Sequence, residues 1–124
     1  CRFLQHHMRP PEEHGSYFGY VVNGCGTQSA GSRLAWCYGD LGVCTTLSQA
    51  GEAVQQEQIK SAALDIARFN APKRDLAAGH VQDACFCHGT SGIAHIYHKL
   101  YRQTGERHWI WRRSKMGWPV TKPT

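Results

Sequence analysis

"CFCHGTSGIAHIYHKLY", residues 85–101, sets two cysteines and a histidine within four positions, follows them with two glycines, and runs into apolar residues at helical spacing. An earlier stretch has the same shape. Laid over each other, CYGDLGV (37–43) and CHGTSGI (87–93) share Cys, a ring residue, Gly, two variable positions, Gly and a β-branched aliphatic, at an offset of 50 residues. A period of that size, with one supersecondary element per copy, marks a repeat architecture. Each copy leads into a predicted helix. The apolar positions are Val43, Thr46, Leu47 and Ala50 in the first, and Ile93, Ile96, Tyr97, Leu100 and Tyr101 in the second, three and four apart. Gly51 and Gly105 stand where these helices are expected to end through a left-handed residue.

Between the copies, EAVQQEQIKSAALDIARFN (52–70) predicts a third helix, with Ile59, Ala62, Ala63, Ile66 and Phe69 on one face and charges opposite. NAPKRDLAAGHVQDA (70–84) reads as a loop opened by Pro72. The unit is therefore motif, inner helix, turn, outer helix, loop and motif again. Hairpins of this kind stack so that each covers its neighbour's apolar face. Residues 1–31 carry less signal. A short helical piece is broken by Pro10 and Pro11, and residues 10–32 read as connecting chain with a short strand around Tyr20 to Val22. A length of 124 residues fits one modest domain, and a start at Cys1 instead of a methionine predicts a processed or cut amino end.

The net charge of +5 belongs to the tail. From Arg107 onward there are five basic residues and no acid, which leaves nine of each in positions 1–106. Trp109, Trp111 and Trp118 lie in the same tail. Interleaved bases and aromatics suit single-stranded nucleic acid, but nucleic-acid binders show a wider basic footprint. A hairpin cut partway, exposing aromatics that a neighbour would cover, is the favoured reading, and no nucleic-acid partner is expected. No apolar run approaches the roughly 20 residues that cross a bilayer.

Six cysteines, at positions 1, 25, 37, 44, 85 and 87, allow three disulfides in a secreted scaffold. Against this, Cys85 and Cys87 are one residue apart, His88 adjoins them, and no leader argues for export, which favours a metal or a catalytic thiol. In both copies the Cys precedes a glycine turn that opens a helix, an environment that favours thiolate. With the inner helices as neighbours, Cys37, Cys87 and His88 converge. Two sulfurs and one nitrogen are the ligands of a catalytic zinc whose fourth position is left for water or substrate. Cys44 and Cys85 lack repeat partners and read as structural, with Cys85 the reserve fourth ligand. Cys1 and Cys25 carry no signal, and the remaining histidines read as surface or packing residues.

SRLAWCYGDLGV (32–43) together with CHGTSGIAHIYHKLY (87–101) resembles the carboxy-terminal part of the lanthionine synthetase C-like (LanC-like) family, the cyclases of lantibiotic biosynthesis. The likeness runs from about Ser32 to Gly105, about 60 per cent of the chain. It implies an all-α fold: a partial α/α toroid of about two helical hairpins from a larger ring. The chain 1–124 would be a single partial domain, with an irregular stretch over 1–31 and a truncated basic, Trp-rich tail over 106–124. It implies Zn²⁺ on Cys37 of Trp-Cys-Tyr-Gly and on Cys87 and His88 of Cys-His-Gly. Arg33 and Tyr38 match positions the family places beside its active site.

The activity implied is zinc-dependent addition of a cysteine thiol to dehydroalanine or dehydrobutyrine, closing thioether rings in a ribosomally made peptide. The partners implied are a dehydrated precursor peptide and a lantibiotic dehydratase. The setting implied is the bacterial cytoplasm, with membrane association only through a biosynthetic complex. The family's acid/base histidine and its aspartate lie in an earlier hairpin that this chain lacks. His14, only 23 residues before Cys37, is too close to replace that histidine. The 124 residues alone are accordingly expected to show little cyclase activity. Three alternatives stand beside this reading: a zinc-stabilised binding module with four protein ligands, a disulfide-stapled secreted domain, and glutathione addition to dehydroamino acids.

Overall fold

The computed structural model describes residues 2–23, 31–74 and 80–109. They form five α-helices: α1 (Arg2–His6), α2 (Pro11–His14), α3 (Gly39–Ala53), α4 (Glu57–Asn70) and α5 (Thr90–Thr104). Short 3₁₀ turns follow at Ala71–Arg74 and Arg107–Trp109. The all-α expectation holds. The strand expected around Tyr20 to Val22 is replaced by an isolated antiparallel bridge between Gly19 and Gly31. A bridge between two glycines offers no side chains to extend a ladder.

Helices α3 and α4 make the antiparallel hairpin that the repeat called for. Its register is fixed at three levels. Gly51 lies against Ile59 and Lys60 near the turn, the Cys44 thiol donates to the Ala63 carbonyl at 3.2 Å, and the Asn70 amide donates to Asp40 at 2.7 Å. Three details depart from the sequence reading. Helix α3 runs through Gly51 to Ala53, α4 begins at Glu57 instead of residue 52, and the left-handed residue between them is Gln55 at φ 53°. Gly51 is used for close helix packing: a Cβ there would sit 2.9 Å from Lys60 N. The buried face of α3 is accordingly Leu41, Cys44, Leu47 and Gly51, while Thr46 is exposed and Val43 only partly covered.

Helix α5 packs Ile93, Ile96, Tyr97 and Leu100 into the same core, and leaves through Gly105 at φ 72°, as the sequence predicts. Tyr97 donates its hydroxyl to the Ala67 carbonyl of α4 at 3.0 Å, which satisfies a buried polar group while joining the two helices. Trp109 stacks on Tyr97 with ring centroids 5.9 Å apart and is fully buried. It is a core residue, contrary to its expected place in an exposed tail. Trp111 and Trp118 lie outside the described residues.

The segment before α3 is pinned, not merely connecting. Asp40, 2 % exposed, accepts the Tyr17 and Phe18 backbone N–H groups at 3.0 and 2.9 Å as well as the Asn70 amide. Ser32 closes the strap, its N–H donating to Ser16 Oγ and its hydroxyl to the Phe18 carbonyl. A buried carboxylate needs such a full set of donors. The result is that Phe18 enters the core.

Candidate metal centre

The two Cys-x-Gly-x-x-Gly turns are stitched together by backbone. The Cys87 carbonyl accepts the N–H groups of both Trp36 and Cys37, each at 3.0 Å. The second glycine of each turn allows the fit. A Cβ on Gly42 would collide with the Trp36 carbonyl oxygen, and one on Gly92 with the Phe86 carbonyl oxygen, in each case the residue before the motif cysteine. Gly39, at φ 68° and against the Ser32 side chain, tolerates no side chain either.

This packing brings Cys37 Sγ, Cys87 Sγ and a His88 ring nitrogen within 4.8 Å of one another. Cys87 Sγ lies 3.0 Å from His88 Nδ1, and His88 Nε2 lies 3.3 Å from Asp83 Oδ2. A second group, Asp83, Cys85 and His88, meets the same distance limit and shares the imidazole. Hydrogen bonding from Cys37, then burial, then the Cys37 and Cys85 sulfurs push the Cys87 thiol above its ordinary pKa. Sulfurs this close cannot all be anionic unless a cation sits among them. The backbone N–H of Cys85 holds the Asp83 carboxyl below its ordinary range, and His88 adds to this. The donor types and their mutual spacing suit a divalent ion that accepts thiolate and imidazole.

Arg33 and Tyr38 are brought together by a residue the sequence reading passed over. Tyr20 accepts the Arg33 N–H on its hydroxyl at 2.8 Å and meets the Tyr38 ring edge-on at 5.7 Å. Arg33 Nε is buried without a hydrogen-bond partner among the described residues, and Tyr38 is exposed.

A lanthionine synthetase C-like protein family model matches residues 2–116. The chain belongs to that family. No solved structure matches it. At family level this assigns the LanC-like chain to the lanthionine synthetase type of enzyme, with a thioether-forming or related role on peptide substrates. No helix among the described residues is long and apolar enough to cross a membrane.

The LanC-like chain also has a cleft of about 220 Å³ between α3 and α5. Trp36, Phe86 and His95 form its aromatic side, with rings 5.5 to 6.1 Å apart. Ser48 and Gln103, hydrogen-bonded at 3.2 Å, close the far end. Trp36 and Phe86 immediately precede Cys37 and Cys87, so the cleft and the cluster share their two loops. Cys44 lines the cleft floor, but burial pushes its thiol up to about 12, and it donates to a backbone carbonyl. It is a packing residue at neutral pH, as the sequence reading had it. By sequence His95 reads as a surface or packing residue. Only the three-dimensional proximity of Phe86 reveals its position on the cleft.

Proposed function

We propose that this LanC-like chain holds one zinc ion through Cys37, Cys87 and His88 and serves lanthionine formation, the addition of a peptide cysteine thiol to dehydroalanine or dehydrobutyrine. The observation that carries the reading is the convergence of two sulfurs and an imidazole from duplicated turns. Zinc, when bound, would supply the positive charge that keeps a substrate thiol ionised at neutral pH. In the overall addition, the S–H bond of the peptide cysteine breaks and sulfur bonds to the β-carbon of the dehydro residue. The π pair moves onto the α-carbon and its carbonyl, and a proton returns to the α-carbon. Nothing is oxidised or reduced, and the mass is unchanged.

The chain's own residues orient and stabilise. Arg33, whose Nε is buried without a hydrogen-bond partner among the described residues, is suited to the negative charge that develops on the carbonyl oxygen. Tyr38, next to Cys37 and steadied by Tyr20, offers a phenolic proton on the exposed side of the loop. The aromatic wall of Trp36, Phe86 and His95 would accept a flat or apolar peptide side chain.

One rival has a specific observation behind it. Cys85 lies with Asp83 around the same His88, and a shift of its sulfur into the cluster would close the site as a four-ligand structural zinc. Cobalt substitution separates the two readings. In the cobalt-loaded chain, adding a cysteine-containing peptide is expected to raise the sulfur-to-cobalt charge-transfer absorbance, while the serine version leaves it unchanged. Spectra indifferent to the thiol peptide would leave a closed structural site and remove the cyclase reading. Running glutathione in parallel shows whether the open position also takes the smaller thiol of the alternative activity.

A further inference from the structure

Asp83 stands outside the Cys-x-Gly-x-x-Gly repeat, yet its loop is built tightly around it. Its Oδ1 accepts the Cys85 N–H at 2.9 Å, and its carbonyl accepts the Thr90 N–H at 3.0 Å across the start of α5. Gly89 fills the space inside: a Cβ there would lie 2.5 Å from both Asp83 Oδ1 and the Cys85 carbonyl oxygen. With Oδ1 occupied, Oδ2 is the oxygen that faces His88, 3.3 Å from Nε2. The other ring nitrogen, Nδ1, faces Cys87 Sγ at 3.0 Å.

A neutral imidazole carries one proton. On Nδ1 it would point an N–H at the sulfurs and leave no lone pair there. On Nε2 it faces the carboxylate, 3.3 Å away, and Nδ1 keeps its lone pair for a metal ion. We propose that Asp83 is the positioning residue of the metal centre, accepting the Nε2 proton of His88 and so fixing the tautomer that presents the Nδ1 lone pair to Cys37 and Cys87. The inference rests on the zinc reading for its consequence. Carboxylates that orient a ligating histidine in this way are worth about 10–100-fold in metal affinity.

Two variants of the whole chain separate this role from turn formation. Asp83→Ser keeps a short acceptor for the Cys85 N–H, as hydroxyls do in such turns, but cannot reach the ring. Asp83→Asn keeps the shape but cannot accept at both oxygens, so either Cys85 or His88 faces an N–H. Zinc affinity is read by competition with a chromophoric chelator, and the His88 tautomer by long-range ¹H–¹⁵N NMR on the metal-free chain. Asp83→Ser is expected to melt close to the parent, bind one zinc about 10–100-fold more weakly, and show a mixture of His88 tautomers where the parent shows Nε2–H. Asp83→Asn is expected to lose at least as much affinity.

Affinity within twofold of the parent and an unchanged tautomer, in either variant, would make Asp83 a turn former and overturn the proposal. A loss equal to that of His88→Ala would overturn it too, by making Asp83 a ligand. If the parent binds no zinc, the zinc reading fails by itself. The metal-free tautomer then still decides whether Asp83 holds the ring.

Discussion

Cys37→Ala, Cys87→Ala and His88→Ala are each expected to weaken zinc binding at least about 100-fold, while Cys44→Ala leaves it within about twofold. The magnitude follows from the shell. Structural zinc sites with a full ligand set bind with about 10–16 kcal/mol, so removing one protein ligand of three costs well over the roughly 2.7 kcal/mol that corresponds to 100-fold. The effects should not add. Once Cys37 is gone, the turn stitched to the Cys87 carbonyl no longer offers a paired sulfur, so Cys37→Ala/Cys87→Ala loses less than the sum of its parts. Cys44 is the internal control, since its thiol is buried against Ala63 and belongs to helix packing. Chelator competition on the four variants checks this. Zinc affinity unchanged in any of the first three would strike that residue from the ligand set.

Gly92→Ala is expected to lower stability by about 3 kcal/mol, although the position is helical and exchanging a helical glycine for alanine normally gains about 1 kcal/mol. The sign inverts because a Cβ would collide with the Phe86 carbonyl oxygen, and Phe86 C lies only 3.0 Å from it. Backbone cannot swing aside as a flexible side chain can, and this carbonyl belongs to the loop that positions Cys87. Gly42→Ala meets the Trp36 carbonyl in the same way and should behave alike. Thermal unfolding of the metal-free chain reads the effect, on the order of a 10 °C drop in Tm. The zinc affinity of whatever remains folded should fall with it. A melting point at or above that of the parent would show that the turns are not held by this close approach.

The duplicated turn was legible because it combines chemistry with steric necessity. A cysteine and two glycines at fixed spacing recur at 50 residues, and the second glycine of each copy does the same job against a carbonyl. The apolar faces of α4 and α5 were legible for the ordinary reason of period. The face of α3 was misread because two of its packing residues, Cys44 and Gly51, are small, and periodicity built on hydropathy does not score a glycine as core. Gly51 reads as a helix end on the same logic, whereas Gln55 supplies the left-handed turn.

Asp83 stayed hidden because it occupies the repeat position of Arg33, so the copies carry opposite charges there and matching by identity discards both. Tyr20 and Asp40 act through partners 13 to 30 residues away in the chain, and no local pattern announces a contact of that kind. The burial of Trp109 follows from Tyr97, two helical turns back from Gly105, a pairing visible only once α5 is in place.

The central claim is a coordination number with named atoms, and X-ray absorption at the zinc edge measures it. For the zinc-loaded chain without substrate, the expected shell is two sulfurs at about 2.3 Å and one imidazole nitrogen at about 2.0–2.1 Å, with one further light atom. One sulfur should be lost in Cys37→Ala and one in Cys87→Ala, and none in Cys85→Ala. Three sulfurs in the parent, falling to two in Cys85→Ala, would show a closed structural site, and a shell without sulfur would contradict the account altogether.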